Sequence, residues 1–556
     1  MKLLLLLCTL AVAQGEFFTA LVDLENVLFT ESGMLDVLDH YIEEQEKHLQ
    51  RLRESAENIR KVNRESLEDP ESYLAHPVNA FTTVKRFLWE WVLIEEHVRA
   101  EQVKTDYLMN MSQYQNYFPG KEDIQGAAAA LLRLQDTYRL ETKDIADGTI
   151  EGVSQYRPVM SAEDVFEVGR AAYNDNDHYH SCLWLEEAFN RAIKEEKDDT
   201  LARRDKDKEI DIPTILDYLA YATYSQGDMK KALEFTDRLL EIDPNHARGM
   251  NNKDFFEYHL EEAKTARGDT GDMPADGDQH GIPYEEEEDD EDDITGDPYL
   301  EYSERQMYEA LCRGDANVIK DLTDAKAARV LKCSYQHYNV PQLYLQPAKE
   351  EVVFPNPKLI YYREIVDDKE IAHIKKTAAP RLKRATIQNS VTGNLEFADY
   401  RISKSAWLKD HDDAIVARIR QRVSHYTGLD LRTAEELQVV NYGIGGHYEP
   451  HFDFARKEEV NAFKNLGTGN RIATMLFYLS GTEAGGATVF PRAGARILPS
   501  KGDAAFWFNL FRNGEGNFQT RHAACPVLAG SKWVANIWIH EMGQEFRRKC
   551  SLNPTE

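Results

Sequence analysis

The spacing of apolar residues changes along this chain, and that change sets its fold class. Between Leu35 and Ile59 apolar residues recur at alternating steps of three and four, which is typical of a helix with one apolar stripe. From Val352 onward, short β-rich runs separated by Gly, Pro and Asn turns predict a sandwich or barrel. The sequence therefore predicts an all-α N-terminal part and a mainly β C-terminal domain.

Length and charge limit what such a chain does. Its 556 residues are too many for one hydrophobic core, so two to four domains are expected. The formal net charge is −30, which disfavours nucleic acid and anionic membranes as partners because both require a basic surface.

The first residues, MKLLLLLCTLAVAQG, have the pattern of a secretory signal peptide. Lys2 supplies the positive charge, Leu3–Ala13 is an apolar run too short to span a bilayer, and Ala11–Ala13 has the small-x-small cleavage pattern. We expect residues 1–15 to be removed and the mature chain to have no membrane anchor.

Four further regions follow from the pattern. Residues 16–155 are expected to be helical, and their heptads indicate either a coiled coil that joins two chains or one amphipathic helix in a local bundle. Residues 160–264 contain helix-turn-helix units. The run EEEEDDEDD lies within 265–297, which is typical of a solvated, self-repelling linker. Residues 298–556 form the β-rich domain, with its core at 435–545.

The segment LDYLAYATYSQGDMKKALEFTDRLLEIDPNH resembles a tetratricopeptide unit. Its first helix carries tyrosines three residues apart, and the preceding unit adds one more. Such a row either packs in a core or forms a groove for polyproline II ligands, which bind aromatic surfaces. The tyrosines are Tyr173, Tyr218, Tyr221 and Tyr224.

Cysteine and asparagine positions predict covalent modifications. Cys312 with Cys333, and Cys525 with Cys550, make two plausible disulfides in an oxidising compartment, although spacing alone leaves the connectivity open. Asn110 begins an Asn-Met-Ser sequon and is a candidate glycosylation site.

The stretch HYEPHFDFAR places His451 and Asp453 two residues apart, so on a strand they would share one face. His522 follows 71 residues later, beyond several strands. Two histidines and one carboxylate on one side of a metal form the facial triad of non-haem iron(II) oxygenases. Lys532 is then well placed to meet the distal carboxylate of a metal-chelating 2-oxo acid.

At these residues the chain resembles the 2-oxoglutarate-dependent dioxygenases, and NYGIGGHYEPHFDFAR, RIATMLFYLSGTEAGGATVFP and RHAACPVLAGSKWVANIWIHE resemble their prolyl 4-hydroxylase branch. Over its whole length the chain is similar to the alpha subunits of collagen prolyl 4-hydroxylases. The resemblance implies a catalytic domain with a double-stranded β-helix (jelly-roll) fold. It also implies Fe(II) as the metal cofactor, 2-oxoglutarate and O2 as co-substrates, and L-ascorbate as the reductant. The implied reaction is hydroxylation of proline C4 in collagen-like Gly-X-Pro repeats.

The resemblance also assigns roles. The iron ligands are His451, Asp453 and His522. Lys532 anchors the 2-oxoglutarate C5 carboxylate, with support from the hydroxyls of Tyr442 and Thr488. The substrate channel is lined by Tyr448, Arg471 and Trp538, and the four tyrosines bind the peptide.

Partners and compartment follow from the same resemblance. The C-terminus, SLNPTE, has no KDEL-type signal, so retention in the endoplasmic reticulum lumen is expected to come from a partner. The resemblance implies protein disulfide isomerase as a beta subunit, a second alpha chain, and procollagen as substrate. The alternative is a tetratricopeptide protein that binds proline-rich peptides and carries a non-catalytic oxygenase domain.

Overall fold

The computed structural model describes most of the chain. The described residues are 17–68, 86, 90–91, 94, 102–114, 118–150, 159–197, 210–266, 303–315, 331–388, 395–398, 400–411, 413–459, 462–463 and 466–553. The expected signal peptide and the acidic run lie outside them. The chain divides into two compact units, of which one contains Val22–Gly120 and the other contains Gly15–Leu21 with Lys121–Glu556.

The first unit is built on one long helix. Helix α1 (Leu21–Glu68) has 48 residues and none of them is buried. Four of its heptad residues are large, apolar and exposed, namely Leu35, Leu38, Ile42 and Leu49. Helix α2 (Gln102–Ser112) contacts α1 through the rings of Tyr41 and Tyr107, whose centroids are 4.9 Å apart. Asn110 lies exposed on α2.

The second unit begins with a helical layer around a core that includes Phe166, Trp184, Leu216 and Leu219. Its helices are α3 (Lys121–Tyr138), α4 (Thr142–Ala146), α5 (Ala162–Asn174), α6 (His178–Lys197), α7 (Ile212–Ser225), α8 (Met229–Ile242), α9 (Ala247–Ala266) and α10 (Glu304–Arg313).

Local sequence explains where these helices begin and how closely they approach. Ser161 and Asp164 form a capping box at the start of α5, and Asp211 and Asp228 cap α7 and α8. A Cβ on Gly169 in α5 would lie 2.9 Å from Cγ of Leu185 in α6, so a glycine lets the two helices pack closely.

The C-terminal part is an antiparallel β domain. Its strands are β1 (Cys333–Gln336), β2 (Ala348–Pro355), β3 (Lys358–Arg363), β4 (Lys383–Arg384), β5 (Ile387–Gln388), β6 (Leu395–Glu396), β7 (Lys404–Leu408), β8 (Leu437–Asn441), β9 (Tyr448–His451), β10 (Arg471–Tyr478), β11 (Ala484–Gly485), β12 (Thr488–Phe490), β13 (Ala495–Ile497), β14 (Ala504–Phe508), β15 (His522–Ala524), β16 (Val527–Ala529) and β17 (Trp533–His540). Helices α11 (Asp368–Ala378) and α12 (Ala414–Thr427) accompany them.

Two sheets of this domain enclose one core. The nine-stranded sheet has the order β1-β2-β3-β14-β10-β17-β8-β7-β4, and the four-stranded sheet has the order β13-β12-β15-β9. The core cluster takes Val440, Leu476 and Trp507 from the larger sheet and Phe490 and Ile497 from the smaller one. The predicted fold class, with helical regions followed by a jelly-roll domain, is confirmed.

Helix α3 contacts both the other helices of its layer and the β domain. Trp184 on α6 donates a hydrogen bond to Gln135 on α3 at 2.8 Å. On the other side, the Tyr138 hydroxyl donates to the Pro526 carbonyl at 2.6 Å, and Arg133 donates to the Gly445 carbonyl at 3.2 Å. Because of these contacts the chain divides at residue 120, inside the segment 16–155 that the sequence assigned to one helical region.

The disulfide differs from both sequence-based pairings. Cys312 is bonded to Cys525, with their Cα atoms 5.5 Å apart, whereas Cys333 and Cys550 are exposed free thiols. The reason is that α10 packs on β12 and β15, so Cys312 and Cys525 share a buried cluster with Leu311, Val489 and Ala523. Proximity in the sequence was therefore a wrong guide to the partner.

No helix in the described ranges has the length and apolar character needed to cross a bilayer.

A buried histidine joins α3 to α6. The two ring nitrogens of His180 lie 2.9 Å from Asp136 and 2.6 Å from Asp177. Burial disfavours the charged ring, but the hydrogen bonds that the ring donates to both carboxylates outweigh burial and raise the pKa of His180 to about 9. The charged imidazolium therefore stabilises this helix contact.

Replacing His180 by Gln should destabilise the protein in a pH-dependent way. The folded pKa is raised above the ordinary 6.5, so the stabilisation is full below pH 6.5 and is lost as the pH rises through about 9. The melting temperature difference between wild type and His180→Gln should be largest near pH 6 and shrink towards pH 10. The exposed His411→Gln serves as control, and a difference independent of pH would contradict the assignment.

Candidate metal centre and peptide-binding face

Strand pairing brings the two predicted histidine ligands together. Strands β9 and β15 are antiparallel neighbours, and His522 is the direct partner of His451 in their register. The 71-residue separation in the sequence is thus closed by one strand pair. Strand β9 ends at His451, so Asp453 lies beyond the strand end rather than on the strand as the i, i+2 argument assumed.

The three side chains form a compact donor set. Nε2 of His451 is 3.8 Å from Oδ1 of Asp453, and Nε2 of His522 is 3.5 Å from Oδ2. Among the described residues, this is the group of His, Cys, Asp and Glu side chains that meets the geometry of a metal site. Two imidazoles and one carboxylate on one side match what Fe(II) takes in the facial-triad oxygenases.

Hydrogen bonds fix how the imidazoles face the site. Nδ1 of His451 lies 2.7 Å from the Glu449 carbonyl, and Nδ1 of His522 lies 2.9 Å from the Thr520 carbonyl. A carbonyl accepts only from an N–H, so Nδ1 carries the proton and the Nε2 lone pair is free for a metal. Burial holds the pKa of His451 well below its ordinary value, which keeps the ring neutral.

A buried hydrogen-bond chain orients Asp453. The Thr474 hydroxyl donates to Oδ2 of Asp453 at 2.7 Å and accepts from the Asn509 amide at 2.9 Å. Trp507 then donates to the Asn509 oxygen at 2.8 Å. Sequence reasoning missed these supporting residues, although Thr474 is the polar residue within the apolar run RIATMLFYLS and could have signalled its role.

The three side chains of the donor set line a cavity, and Lys532 lines the same cavity. The side chain is 1% exposed, and its Nζ has no hydrogen-bond partner among the described residues. Burial lowers the pKa of Lys532 to about 7. A buried ammonium without a counterion is costly, so this cavity favours a carboxylate ligand.

The predicted supporting hydroxyls line this cavity with Lys532 and the triad. Nζ of Lys532 lies 4.8 Å from the centroid of the Tyr442 ring. Thr488 is buried and its hydroxyl accepts a hydrogen bond from Tyr478 at 2.9 Å, a partner that the sequence did not reveal.

Tyr448, Trp538 and Arg401 line the rest of the cavity, and Arg471 lies behind Trp538 outside the lining. The Tyr448 ring stacks on His451 at 3.6 Å, and the Arg471 guanidinium lies 3.9 Å from the Trp538 ring centroid. Arg471 donates hydrogen bonds to the Glu435 carboxylate at 2.5 and 3.0 Å. Glu435 in turn lies 3.0 Å from Nε2 of His540. Burial opposes charge on Glu435, but Arg471 and His540 outweigh it and lower the pKa of that carboxyl.

The four predicted tyrosines form one ridge on the helical layer. Ring centroids are 4.9 Å apart for Tyr173 and Tyr218, 5.7 Å for Tyr173 and Tyr221, and 6.0 Å for Tyr221 and Tyr224. Tyr221 is 39% exposed, whereas the other three are half-buried. The row is therefore part packing and part accessible surface.

Sequence reasoning missed the neighbours of this ridge. The Arg248 guanidinium lies 5.9 Å from the Tyr218 ring and 5.7 Å from the Tyr221 ring, and it pairs with Asp217 at 2.9 Å. Phe255 extends the aromatic surface, 5.6 Å from Tyr224. These residues lie on α7 and α9, and no single-helix pattern links them.

Three family models match the chain. Residues 20–152 match the N-terminal region of the prolyl 4-hydroxylase alpha subunit. Residues 162–262 match the prolyl 4-hydroxylase peptide-substrate-binding domain, which includes the tyrosine ridge. Residues 437–540 match the 2OG-Fe(II) oxygenase superfamily and include the triad and Lys532.

Curated proteins match along nearly the whole chain. Prolyl 4-hydroxylase subunit alpha-1 of Homo sapiens is 45% identical over 551 residues, which cover 98% of this chain and 97% of that protein. Prolyl 4-hydroxylase subunit alpha-1 of Caenorhabditis elegans is 42% identical over 555 residues, which cover 100% of this chain and 94% of that protein.

Among solved structures, the 2OG complex of the viral collagen prolyl hydroxylase from Paramecium Bursaria Chlorella virus-1 is 22% identical. The match covers 32% of this chain and 94% of that chain with a TM-score of 0.26.

Binding of 2-oxoglutarate should be coupled to proton uptake by Lys532. With a free-protein pKa of about 7, its amine is largely neutral at pH 8 and becomes charged when a carboxylate arrives. Calorimetry in two buffers of different ionisation enthalpy should detect uptake approaching one proton at pH 8 and almost none at pH 6.

Lys532→Met should abolish this uptake and weaken 2-oxoglutarate binding by roughly 2–5 kcal/mol, the loss expected when a buried charge pair is broken. Lys501→Met, at an exposed lysine, is the matched control. Equal proton uptake by wild type and Lys532→Met would remove Lys532 from this role.

Proposed function

The chain belongs to the prolyl 4-hydroxylase alpha-subunit family, and we propose that it acts as the catalytic subunit of a procollagen-proline 4-dioxygenase. Its oxygenase domain uses Fe(II), 2-oxoglutarate and O2, and ascorbate is typical of the family. The reaction hydroxylates C4 of peptidyl proline in collagen-like Gly-X-Pro repeats. 2-Oxoglutarate is converted to succinate and carbon dioxide.

The strongest support for this proposal is the composition of one cavity. The donor set of His451, Asp453 and His522 shares a cavity with a buried, unpartnered lysine amine. A structural metal site would need no such lysine, and a carboxylate-binding pocket would need no such donor set. When bound, Fe(II) activates dioxygen together with the 2-oxo acid.

The residues of the chain position the reactants. Lys532 holds the C5 carboxylate of 2-oxoglutarate, with the Tyr442 and Thr488 hydroxyls beside it. Apolar side chains on the cavity wall, including Leu476, Trp507 and Val534, exclude water from the co-substrate. Tyr448 and Trp538 line the side where the prolyl ring enters, Arg471 packs against the Trp538 ring, and the Glu435 carboxylate keeps Arg471 oriented.

The alternative function is peptide binding without catalysis. It would require a defect in the triad or at the lysine, and the described residues have neither. The two functions are separated by whether 2-oxoglutarate is consumed in response to a proline-rich peptide.

The assembled protein should convert proline to 4-hydroxyproline in a Pro-Pro-Gly repeat peptide. With iron, 2-oxoglutarate and ascorbate, mass spectrometry should show a gain of one oxygen per modified residue and an equal amount of succinate. Asp453→Ala should reduce both to background, because one carboxylate ligand is lost, yet still bind the peptide through the helical layer. Peptide binding without succinate in the wild-type protein would support the alternative.

The tyrosine ridge serves as a docking face for proline-rich chains. Its exposed aromatic rings and the Arg248 guanidinium suit a polyproline II ligand, whose pyrrolidine rings pack on aromatic faces and whose carbonyls accept hydrogen bonds. A long chain held there reaches the oxygenase cavity at a raised local concentration.

Shortening Tyr221 and Tyr224 to Ala should therefore affect long substrates selectively. The KM for a long Pro-Pro-Gly repeat should rise roughly tenfold or more because tethering is lost, whereas a single tripeptide should change little. Tyr335→Ala, at an exposed tyrosine on β1, is the control. Equal changes for long and short substrates would identify the tyrosines as packing residues.

Compartment and partners complete the proposal. The chain works in the lumen of the endoplasmic reticulum, where its signal peptide would deliver it and where a glycan on the exposed Asn110 would be added. A disulfide such as Cys312–Cys525 is typical of an oxidising compartment. The partners are protein disulfide isomerase as beta subunit and a second alpha chain, and the exposed apolar stripe of α1 supports the latter.

Charges on the α1 stripe should separate the two alpha chains. We expect Leu38→Asp with Ile42→Asp to halve the number of alpha chains per particle, because an aspartate pair in an apolar seam is strongly unfavourable. Arg51→Asp, on the outer face of the same helix, should have no effect. The measurement is light scattering after size-exclusion chromatography of protein co-expressed with the isomerase. An unchanged mass for the stripe variant would contradict the coiled coil.

A further inference from the structure

The first described residues, Phe17–Ala20, pack into the oxygenase part of the second unit. The Ile444 amide donates a hydrogen bond to the Phe18 carbonyl at 3.2 Å, and the Phe18 amide donates to Oδ1 of Asp123 on α3 at 3.3 Å. Thr19 and Ala20 are completely buried. The segment thus joins α3 to the loop that follows β8.

Two glycines make room for Phe18. A Cβ on Gly443 would lie 1.9 Å from the Phe18 carbonyl oxygen, and a Cβ on Gly126 would lie 2.3 Å from the Phe18 ring. Neither glycine has a positive φ. Both positions therefore need glycine for space rather than for backbone conformation, and the fit around Phe18 is close on two sides.

The loop under Phe18 belongs to the co-substrate site. Tyr442 immediately precedes it, and the Tyr442 amide donates to the Lys532 carbonyl at 3.1 Å. At the other end of the loop, the Val527 amide donates to the Gly446 carbonyl at 3.2 Å, and β9 with its metal ligand begins two residues later. The Phe18 main chain contacts this loop at Gly443 and Ile444, while the Phe18 ring packs on Gly126 of α3.

We propose that Phe18 is a positioning residue for 2-oxoglutarate, acting through the loop 443–446 on Tyr442. This inference rests on the proposed 2-oxoglutarate-dependent reaction. The bond to the Ile444 amide comes from the Phe18 main chain, and the Phe18 ring on Gly126 anchors that main chain. Without the ring, the segment is held less firmly against the loop and this hydrogen bond weakens. The Tyr442 hydroxyl then samples more positions, so the cost falls on co-substrate binding.

The assembled enzyme carrying Phe18→Ala should show a split between kinetic parameters. The KM for 2-oxoglutarate should rise roughly three- to tenfold, the size expected when lost ring packing loosens one hydrogen bond. The peptide KM and the kcat at saturating 2-oxoglutarate should stay within about twofold, since the residues that face the peptide are untouched. Phe18→Leu keeps the backbone contacts and most of the apolar volume, and should recover most of the affinity.

A glycine variant tests the same contact from the other side. Gly126→Ala should raise the 2-oxoglutarate KM because its methyl group displaces the Phe18 ring, but it should add nothing in the Phe18→Ala background, where the ring is gone. Gly481→Ala is the matched control, because its nearest atom would be 3.8 Å away. Additive effects of Phe18→Ala and Gly126→Ala would overturn the proposed contact.

Two further readouts separate positioning from general stability. Hydrogen exchange of residues 443–446 should speed up in Phe18→Ala while exchange in β10 and β17 stays unchanged. Thermal stabilisation by Mn(II) with 2-oxoglutarate should also shrink. This last measurement needs no peptide, so it tests Phe18 even if proline hydroxylation fails in the wild type.

An unchanged 2-oxoglutarate KM with unchanged exchange in the loop would overturn the proposal. Equal rises in the KM for 2-oxoglutarate and for peptide, together with a lower melting temperature, would overturn it as well, because they mark a purely structural role.

Discussion

The antiparallel pairing of β9 with β15 is the interaction on which the active site depends. It sets His522 directly opposite His451, and the two imidazole centroids are 4.5 Å apart. Each ring is then locked by a hydrogen bond from Nδ1 to a nearby carbonyl. Asp453 completes the set from beyond the strand end, where Thr474 on the facing sheet holds its carboxylate. A slip of one residue between these strands would turn one histidine away from the site.

Lys532 is a buried amine whose charge we propose is neutralised by the bound co-substrate. In the free protein the amine is desolvated and unpartnered, which is costly and lowers its pKa to about 7. A 2-oxo acid bound at the triad would bring its second carboxylate to Lys532. The same low polarity that destabilises the free site therefore strengthens the binding of the co-substrate.

Residue spacing and family resemblance were enough to predict the general plan. The helical heptads, the tetratricopeptide-like unit and the β-rich domain were visible because each has its own period. The triad and Lys532 lie in two recognisable segments, HYEPHFDFAR and RHAACPVLAGSKW. Long-range partners were not visible. The pairing of Cys312 with Cys525, the hydrogen-bond chain through Thr474 and Asn509, and the ion pair between Asp217 and Arg248 each join segments that no local pattern connects. Phe18 is the extreme case, since it contacts a loop more than 400 residues away.

The most direct test of this account is the crystal structure of the protein with Mn(II) and 2-oxoglutarate, collected at a wavelength where manganese scatters anomalously. The account predicts one strong anomalous peak within about 2.3 Å of ligand atoms from His451, Asp453 and His522, and a carboxylate of 2-oxoglutarate in contact with Nζ of Lys532. A metal bound elsewhere, or a 2-oxoglutarate whose distal carboxylate does not reach Lys532, would contradict it.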